Sequence, residues 1–276
     1  MTDRVTYDVD GRVGVIMMNR PEVKNAQSGP LLRDLDAAFA RAADDRGVRV
    51  IVLGGHGDSF SAGHDLGTDE QVADREALPK GGTYVEDSFM YSWDHFVQIS
   101  RRWRDLPKPT IAMVHGWCIY GGWLVASTMD IIVAADDARF MTNLLQYFTL
   151  PYDVGPRRAK ELLFDQHVVS ADEACRLGFV NRVVPRAQLE DDVMAQARRI
   201  AEQPGFLLRA MKLAVNNAED AMGFHAAVQA AHSHYQLSQA SSMEVRRRKT
   251  GSDAPPRSLV KNVVEREREQ GGADRG

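Results

Sequence analysis

The chain of 276 residues is 44% apolar and 26% charged, which excludes a disordered polymer or a low-complexity repeat and predicts a compact fold. Its 34 Lys and Arg against 38 Asp and Glu leave a net charge of −4, a balance that attracts no polyphosphate backbone, so nucleic acid is not an expected partner. At this length folding buries roughly 70 to 75% of the surface of the unfolded chain, enough for one large core. Cys118 and Cys175 are the only cysteines and fit neither a disulfide framework nor a Cys-x-x-Cys metal site; they suit a reducing compartment. The first apolar run, Val13 to Met18, is too short for a secretory signal, so the expected location is the cytoplasm.

Val5 to Val9 and Arg12 to Met18 are β-rich on either side of Asp10 and Gly11, which predicts a hairpin. Leu31, Leu32, Leu35, Ala38, Phe39 and Ala42 recur at helical spacing across 30–43. Val48 to Leu53, ended by Gly54 and Gly55, reads as a strand buried on both faces. From Gly54 to about Asp87 the chain is rich in Gly, Asp and Glu and reads as one long loop, a candidate lid in which Glu86 and Asp87 are second-line acid/base groups. Helical periodicity returns at Phe89, Trp93, Phe96, Val97 and Ser100 and stops at Pro107 and Pro109. The 21 residues from Pro109 to Met129 carry no formal charge and approach the length of a membrane span. His115, Gly116, Gly121 and Gly122 divide them into strand, turn and helix, so a buried core segment is expected and no membrane partner. Ile131 to Ala134 is a further strand, Ser170 to Glu173 a capping box whose helix closes at Gly178, and Val180 to Val184 the last strand. Beyond Pro185 the pattern is wholly helical, through 189–201, 206–218 and a long segment to about Arg248. Alternating strands and helices followed by helices alone predict an α/β core at 1–200 and a helical region at 201–250. The charged segment 251–276 reads as a flexible tail.

Several chemistries lack their anchors. There is no Gly-x-Gly-x-x-Gly after a strand, no Gly-x-x-x-x-Gly-Lys and no His-Glu-x-x-His. Ser59, within Gly57 to Phe60, is similar to the nucleophile of one class of serine esterases, but no base is placed for it. His232 and His234 point about 200° apart on a helix and cannot share an ion; His225 and His232 share a face, where a surface or subunit-contact role is expected and no metal. Two strand exits stand out. Phe60 to Leu66 follows the strand ending at Leu53, and His115 to Gly122 follows the strand ending at Val114. Each runs into a glycine-containing turn, and such turns expose main-chain N–H groups able to hold an anion.

Read in order, the segment from Asn19, Arg20 and Pro21 to Asn25 and Ala26, the Ser61 to Leu66 block, the Ile111 to Gly122 block, the Asp130 to Ile132 strand and the Ala171 to Val184 segment resemble the crotonase, or enoyl-CoA hydratase/isomerase, superfamily over roughly residues 4 to 250. The resemblance implies an α/β spiral of ββα units with a C-terminal helical trimerisation region, assembled as a homotrimer or dimer of trimers. It implies an enzyme of fatty-acid metabolism acting on an acyl thioester of coenzyme A, with no cofactor beyond the coenzyme A of its substrate. The thioester oxygen would accept hydrogen bonds from the main-chain N–H groups of His64 and Gly121. Such donors stabilise charge that develops on that oxygen, each by typically about 3 to 4 kcal/mol. Because the main chain supplies the bond, the His64 side chain need not take part. Lys24, Ala26, Ala62 and Leu66 match positions that flank coenzyme A, although Lys24 reads equally well as a solvated surface lysine.

The chain also departs from the family pattern. Where hydratases carry two glutamates it has Leu124 and Leu144, and leucine neither orients water nor transfers a proton. Asp153, in the run Asp153 to Arg157, resembles the aspartate that some isomerases and dehalogenases of the superfamily carry; in an apolar pocket its proton affinity would rise. The alternative is a cap on a helix beginning near Pro156. Trp117, Tyr120, Leu124, Leu144 and Tyr152 fall around the implied acyl site, with Trp123, Tyr147 and Phe148 as further aromatics. The expected activity is an acyl-CoA lyase or isomerase with Asp153 as acid/base; the alternative is a catalytically silent acyl-CoA binding paralogue.

Overall fold

A computed structural model of the chain describes residues 4–78, 81–142 and 145–250; Leu144 and the tail at 251–276 lie outside the described residues. Strands β1 (Val5–Asp10) and β2 (Val13–Met18) form the expected hairpin, with Val5 opposite Met18 and Asp10 opposite Val13. That register centres the turn on Gly11 and Arg12, one residue later than the sequence suggests, and Gly11 takes the left-handed φ of +59°. Ser28 caps helix α1 (Gly29–Asp44) by accepting from the Leu31 N–H, and β3 (Val50–Gly55) follows. Then come α2 (Asp69–Ala77), α3 (Tyr84–Ser92), a π-helical stretch (Trp93–Gln98) and α4 (Ile99–Arg104). Next are β4 (Thr110–Val114), β5 (Trp117–Ile119), α5 (Gly121–Ala126), β6 (Ile131–Ala135), β7 (Arg139–Met141), α6 (Leu150–Val154) and α7 (Pro156–Asp165). The described residues close with β8 (Val169–Ser170), α8 (Ala171–Leu177), β9 (Arg182–Val184), α9 (Leu189–Ala201), α10 (Gly205–Ala221) and α11 (Phe224–Thr250).

A six-stranded sheet, ordered β1-β2-β3-β4-β6-β9, is parallel beyond its first pair, and a small sheet is ordered β5-β7-β8. The chain visits the two in alternation. Each turn places a strand in the large sheet, then a short strand or a single bridge in the small layer, then a helix. The parallel bridges Gln27 to His64 and Ser61 to Cys118 carry the small layer back into the earlier turns, which makes the fold the crotonase-like spiral of ββα units.

Every residue of β3 is buried because helices cover both faces. Ile51 and Leu53 pack with Leu31, Leu35 and Phe39 of α1, whereas Val50 and Val52 pack with Val193 and Ala197 of α9. Helix α9 buries Leu189, Val193, Ala197 and Ala201, one side chain per turn, and fully burying an aliphatic residue such as Leu or Val stabilises the fold by about 1.5 to 3 kcal/mol.

Two expectations are corrected, and the division of 109–129 is as read from the sequence. The segment 54–87 is not one loop: Thr68 and Thr83 cap α2 and α3, the second through a capping box with Glu86, so Glu86 is occupied at a helix start instead of poised as an acid/base. The last strand begins at Arg182; Phe179 and Val180 are core residues of the turn before it. The segment 109–129 divides into β4, β5 and α5, and among the described residues no helix is long and apolar enough to cross a membrane.

Candidate functional site

Stacking of successive spiral turns brings residues 64 and 121 together. The Ser61 N–H donates to the Trp117 carbonyl at 2.9 Å and the Ile119 N–H to the Ser61 carbonyl at 3.1 Å, so both segments leave the small sheet side by side. A Cβ on Gly63 would lie 2.7 Å from the Ile119 carbonyl oxygen and 2.9 Å from the Gly121 nitrogen, and its φ of +85° is itself a glycine conformation. A Cβ on Gly122 would meet the Ser61 carbonyl oxygen at 2.5 Å.

The main-chain donors can be accounted for one by one. Ser61 donates to Trp117 O, Ala62 to Lys24 O, Gly63 to Ser61 Oγ, Asp65 to Gln27 O and Tyr120 to Met141 O. The bridge between Gln27 and His64 runs through Gly63 O and Asp65 N, leaving the His64 N–H on the other side. Gly121 opens α5 and so has no intrahelical acceptor. Among the described residues neither the His64 nor the Gly121 N–H has a hydrogen-bond partner.

This loop is anchored from the Asn19 to Ala26 segment. Buried Arg20 pairs with Asp65 at 2.9 Å and donates to Ala26 O at 2.6 Å. Burial raises the Asp65 pKa, but hydrogen bonds from Thr68, Gly67 and Arg20 outweigh it and hold the carboxyl below its ordinary value. Asn25, fully buried, ties Arg20 N, His56 O and Ser59 O together.

The residues expected to flank coenzyme A gather beside this loop. Ala26 and Ala62 are half-buried, Leu66 is exposed, and Ala62 is bonded to the Lys24 carbonyl. The Lys24 ammonium lies 2.7 Å from Asp58, and that hydrogen bond is the main cause lowering the Asp58 pKa. On the other side, buried Tyr120 and Leu124 join Val97, Ile119, Met141, Tyr147, Phe224 and Val228 in one apolar cluster, with Trp117 and Tyr152 packed against it.

Asp153 is half-buried and lines a cavity of about 440 Å³ with Arg104, Thr149, Lys212, Glu219 and Phe224. Neither His64 nor Gly121 is among the described residues that line it. The two cations there are committed elsewhere, Lys212 to Asp130 at 2.9 Å and Arg104 to Asp105, Glu219 and Asp220. Burial pushes the Asp153 carboxyl up to about 6, against the hydrogen bond from Thr149 Oγ1 at 2.5 Å and with the Glu219 charge adding to the rise. The Asp153 side chain does not cap α7: its N-cap is Gly155, and Asp153 accepts from Thr149.

Some residues around the site are invisible to sequence patterning. His232, expected at a surface, is fully buried and bonded to Ser92 Oγ at 3.1 Å. Buried Gln146 accepts from His64 Nε2 at 2.5 Å, and Gln27 Oε1 lies where a Cβ on Gly121 would be, 2.3 Å from it. Only the helical periodicity around Trp93 hinted that this region turns inward.

The profile of the family described as Enoyl-CoA hydratase/isomerase matches residues 8–252. The chain is 39% identical over 249 residues to a Mycobacterium tuberculosis (strain ATCC 25618 / H37Rv) protein named "Putative enoyl-CoA hydratase EchA13", covering 84% of this chain and 78% of that protein. A probable enoyl-CoA hydratase from Mycobacterium thermoresistibile superposes with a TM-score of 0.79 at 40% identity, over 88% of this chain and 99% of that one. An enoyl-CoA hydratase/isomerase from Xanthobacter autotrophicus Py2 does so with a TM-score of 0.75 at 30% identity, over 86% and 87%. Joined to the ββα spiral, a family profile spanning most of the residues means that the chain belongs to the enoyl-CoA hydratase/isomerase family of the crotonase superfamily.

Proposed function

We propose that the chain acts on an acyl-CoA thioester whose carbonyl oxygen is received by the His64 and Gly121 N–H groups, with Asp153 as the acid/base. The observation that carries this reading is the donor accounting: in two touching turns the Ser61, Ala62, Gly63, Asp65, Ile119 and Tyr120 N–H groups have acceptors, whereas those of His64 and Gly121, which lie side by side, do not. Loss of a proton from the carbon next to the thioester builds negative charge on that oxygen, and donors already in place stabilise it without reorganising. A carboxyl poised near pH 6 is ionised at neutral pH and still readily takes the proton and returns it. With leucine at both positions where hydratases carry glutamate, a reaction with one proton shuttle fits better than water addition. In double-bond migration the proton leaves the carbon beside the carbonyl and returns two carbons further along, as the double bond moves into conjugation. The apolar cluster around Tyr120, Leu124 and Tyr152 suits the acyl chain.

A catalytically silent acyl-CoA binder is the second reading, favoured by the lining of the Asp153 cavity, which does not include His64 or Gly121. Short, long and aromatic enoyl-CoA esters assayed for turnover, beside thermal shift with free coenzyme A, separate the two. Turnover lost in Asp153→Asn with coenzyme A binding kept within a few fold supports the enzyme. Stabilisation by coenzyme A with no turnover of any ester supports the binder. Assembly of identical chains as a trimer or dimer of trimers belongs to the same proposal and is supported by the apolar side chains that α10 leaves exposed, among them Phe206, Met211 and Val215.

A further inference from the structure

We infer that Gln146, Ser92 and His232 are positioning residues, forming a buried file of hydrogen bonds through which the C-terminal helix α11 holds His64 and thereby aims its main-chain N–H. The inference rests on reading that N–H as an oxyanion donor. His64 Nε2 donates to Gln146 Oε1 at 2.5 Å, Gln146 Nε2 donates to Ser92 Oγ at 3.2 Å, and Ser92 Oγ faces His232 Nε2 at 3.1 Å. Gln236 Nε2 approaches the same His232 nitrogen at 3.4 Å, and Ser88 Oγ donates to Gln236 Oε1 at 3.3 Å. The file thus joins the turn after Gly63, the segment between β7 and α6, α3 and α11.

The direction of each bond follows from what each group can do. The Gln146 carbonyl only accepts, so His64 Nε2 carries the hydrogen. Burial pushes the His64 pKa down to about 4, so the ring is neutral and Nδ1 is bare. Ser92 Oγ takes the amide hydrogen of Gln146 and has its own to give to His232. Gln146, Ser92 and His232 are all buried, so water does not replace a missing link.

The ring at the end of this file is wedged. It stacks on Phe96 with ring centroids 3.9 Å apart, and its Nδ1 would stand 2.6 Å from a Cβ on Gly121. A ring fixed at Nε2, at its face and against Gly121 leaves the His64 main chain little freedom between Gly63 and Asp65. On this inference the His64 side chain takes no part in the chemistry itself but positions the main chain that does. A displacement of about 1 Å in a reacting group can lower a rate about a hundredfold.

The test combines kinetics with NMR of protein carrying ¹⁵N-histidine, using 3-hexenoyl-CoA and coenzyme A as probes. In the wild type His64 gives the neutral Nε2–H tautomer at pH 7. Gln146→Leu is expected to abolish that fixed tautomer and to lower kcat roughly tenfold to a hundredfold with KM within about threefold. His232→Leu and Ser92→Ala act in the same direction more weakly, and His232→Gln, which can still accept from Ser92, restores most of kcat. A Gln146→Leu protein that melts like the wild type, keeps the His64 tautomer and keeps kcat overturns the inference. If Gln146→Leu does not fold, the same comparison is made in Ser92→Ala, where an unchanged tautomer and kcat overturn it equally. A wild type that turns over no ester sinks the proposed function instead, while the NMR comparison still decides whether the file holds the ring.

Discussion

At the scale of single residues, Asp153 carries two opposite pH dependences. Its carboxyl stands at about 6 in the fold against 3.8 as its ordinary value, so the folded protein binds the proton more tightly than the unfolded chain. The stability this gives is present below pH 3.8 and is lost as pH rises through about 6. Asp153→Asn is therefore expected to melt higher than the wild type at pH 8, by about 1 to 2 kcal/mol, with the gap closing near pH 4. Activity runs the other way, because a proton acceptor must be ionised. kcat/KM is expected to rise through about pH 6 in the wild type and to be at least a hundredfold lower in Asp153→Asn at pH 7 and above, with the gap narrowing below pH 6. His64, driven down to about 4, adds no limb between pH 5 and 8, and a second inflection there would contradict the neutral ring.

Between elements, two glycine substitutions separate site from scaffold. A Cβ on Gly121 would stand 2.3 Å from Gln27 Oε1 and 2.6 Å from His64 Nδ1, so the wedged ring must shift; Gly121→Ala is expected to fold with a loss of about 1 to 3 kcal/mol and to lose turnover about a hundredfold. A Cβ on Gly116, at φ +52°, would lie 1.9 Å from the Asp58 carbonyl oxygen, which is main chain. Gly116→Ala is expected to cost about 3 kcal/mol or more in denaturant unfolding. Arg104 performs a comparable scaffold task, joining α4 to Glu219 and Asp220 of α10 and stacking its guanidinium on Phe224 at 4.2 Å. Arg104→Ala leaves several carboxylates without their shared cation and is expected to cost about 2 to 4 kcal/mol, read as a lower denaturant midpoint.

The whole molecule leaves an apolar surface on α10, where Phe206 is 84%, Val215 63% and Met211 55% exposed. Met211 and Val215 also line the Asp153 cavity, so the proposed assembly through this face would border that cavity. In sedimentation the wild type is expected at the mass of a trimer or dimer of trimers, and Met211→Glu combined with Val215→Glu at the mass of one chain. A wild type that sediments as a single chain at micromolar concentration defeats the assembly proposal.

The sequence by itself determined what depends on neighbours along the chain. The periodicity of Leu31 to Ala42, the all-apolar run from Val50 to Leu53 and the glycines at 63, 121 and 122 specify helix, buried strand and close turns, because pitch, pleat and the missing Cβ are local properties. Helix α2 escaped because Thr68 starts it over a segment with few apolar side chains to mark a period, and α3 was legible only from Phe89 onward. Only the tertiary structure decided which N–H groups go unpaired, that Asp153 bonds to Thr149 and lacks a cation, and that His232 reaches His64 through Ser92 and Gln146. Pairing and proton affinity depend on groups dozens of residues distant in the chain, and stacking of the spiral's turns is what brings those groups within bonding distance.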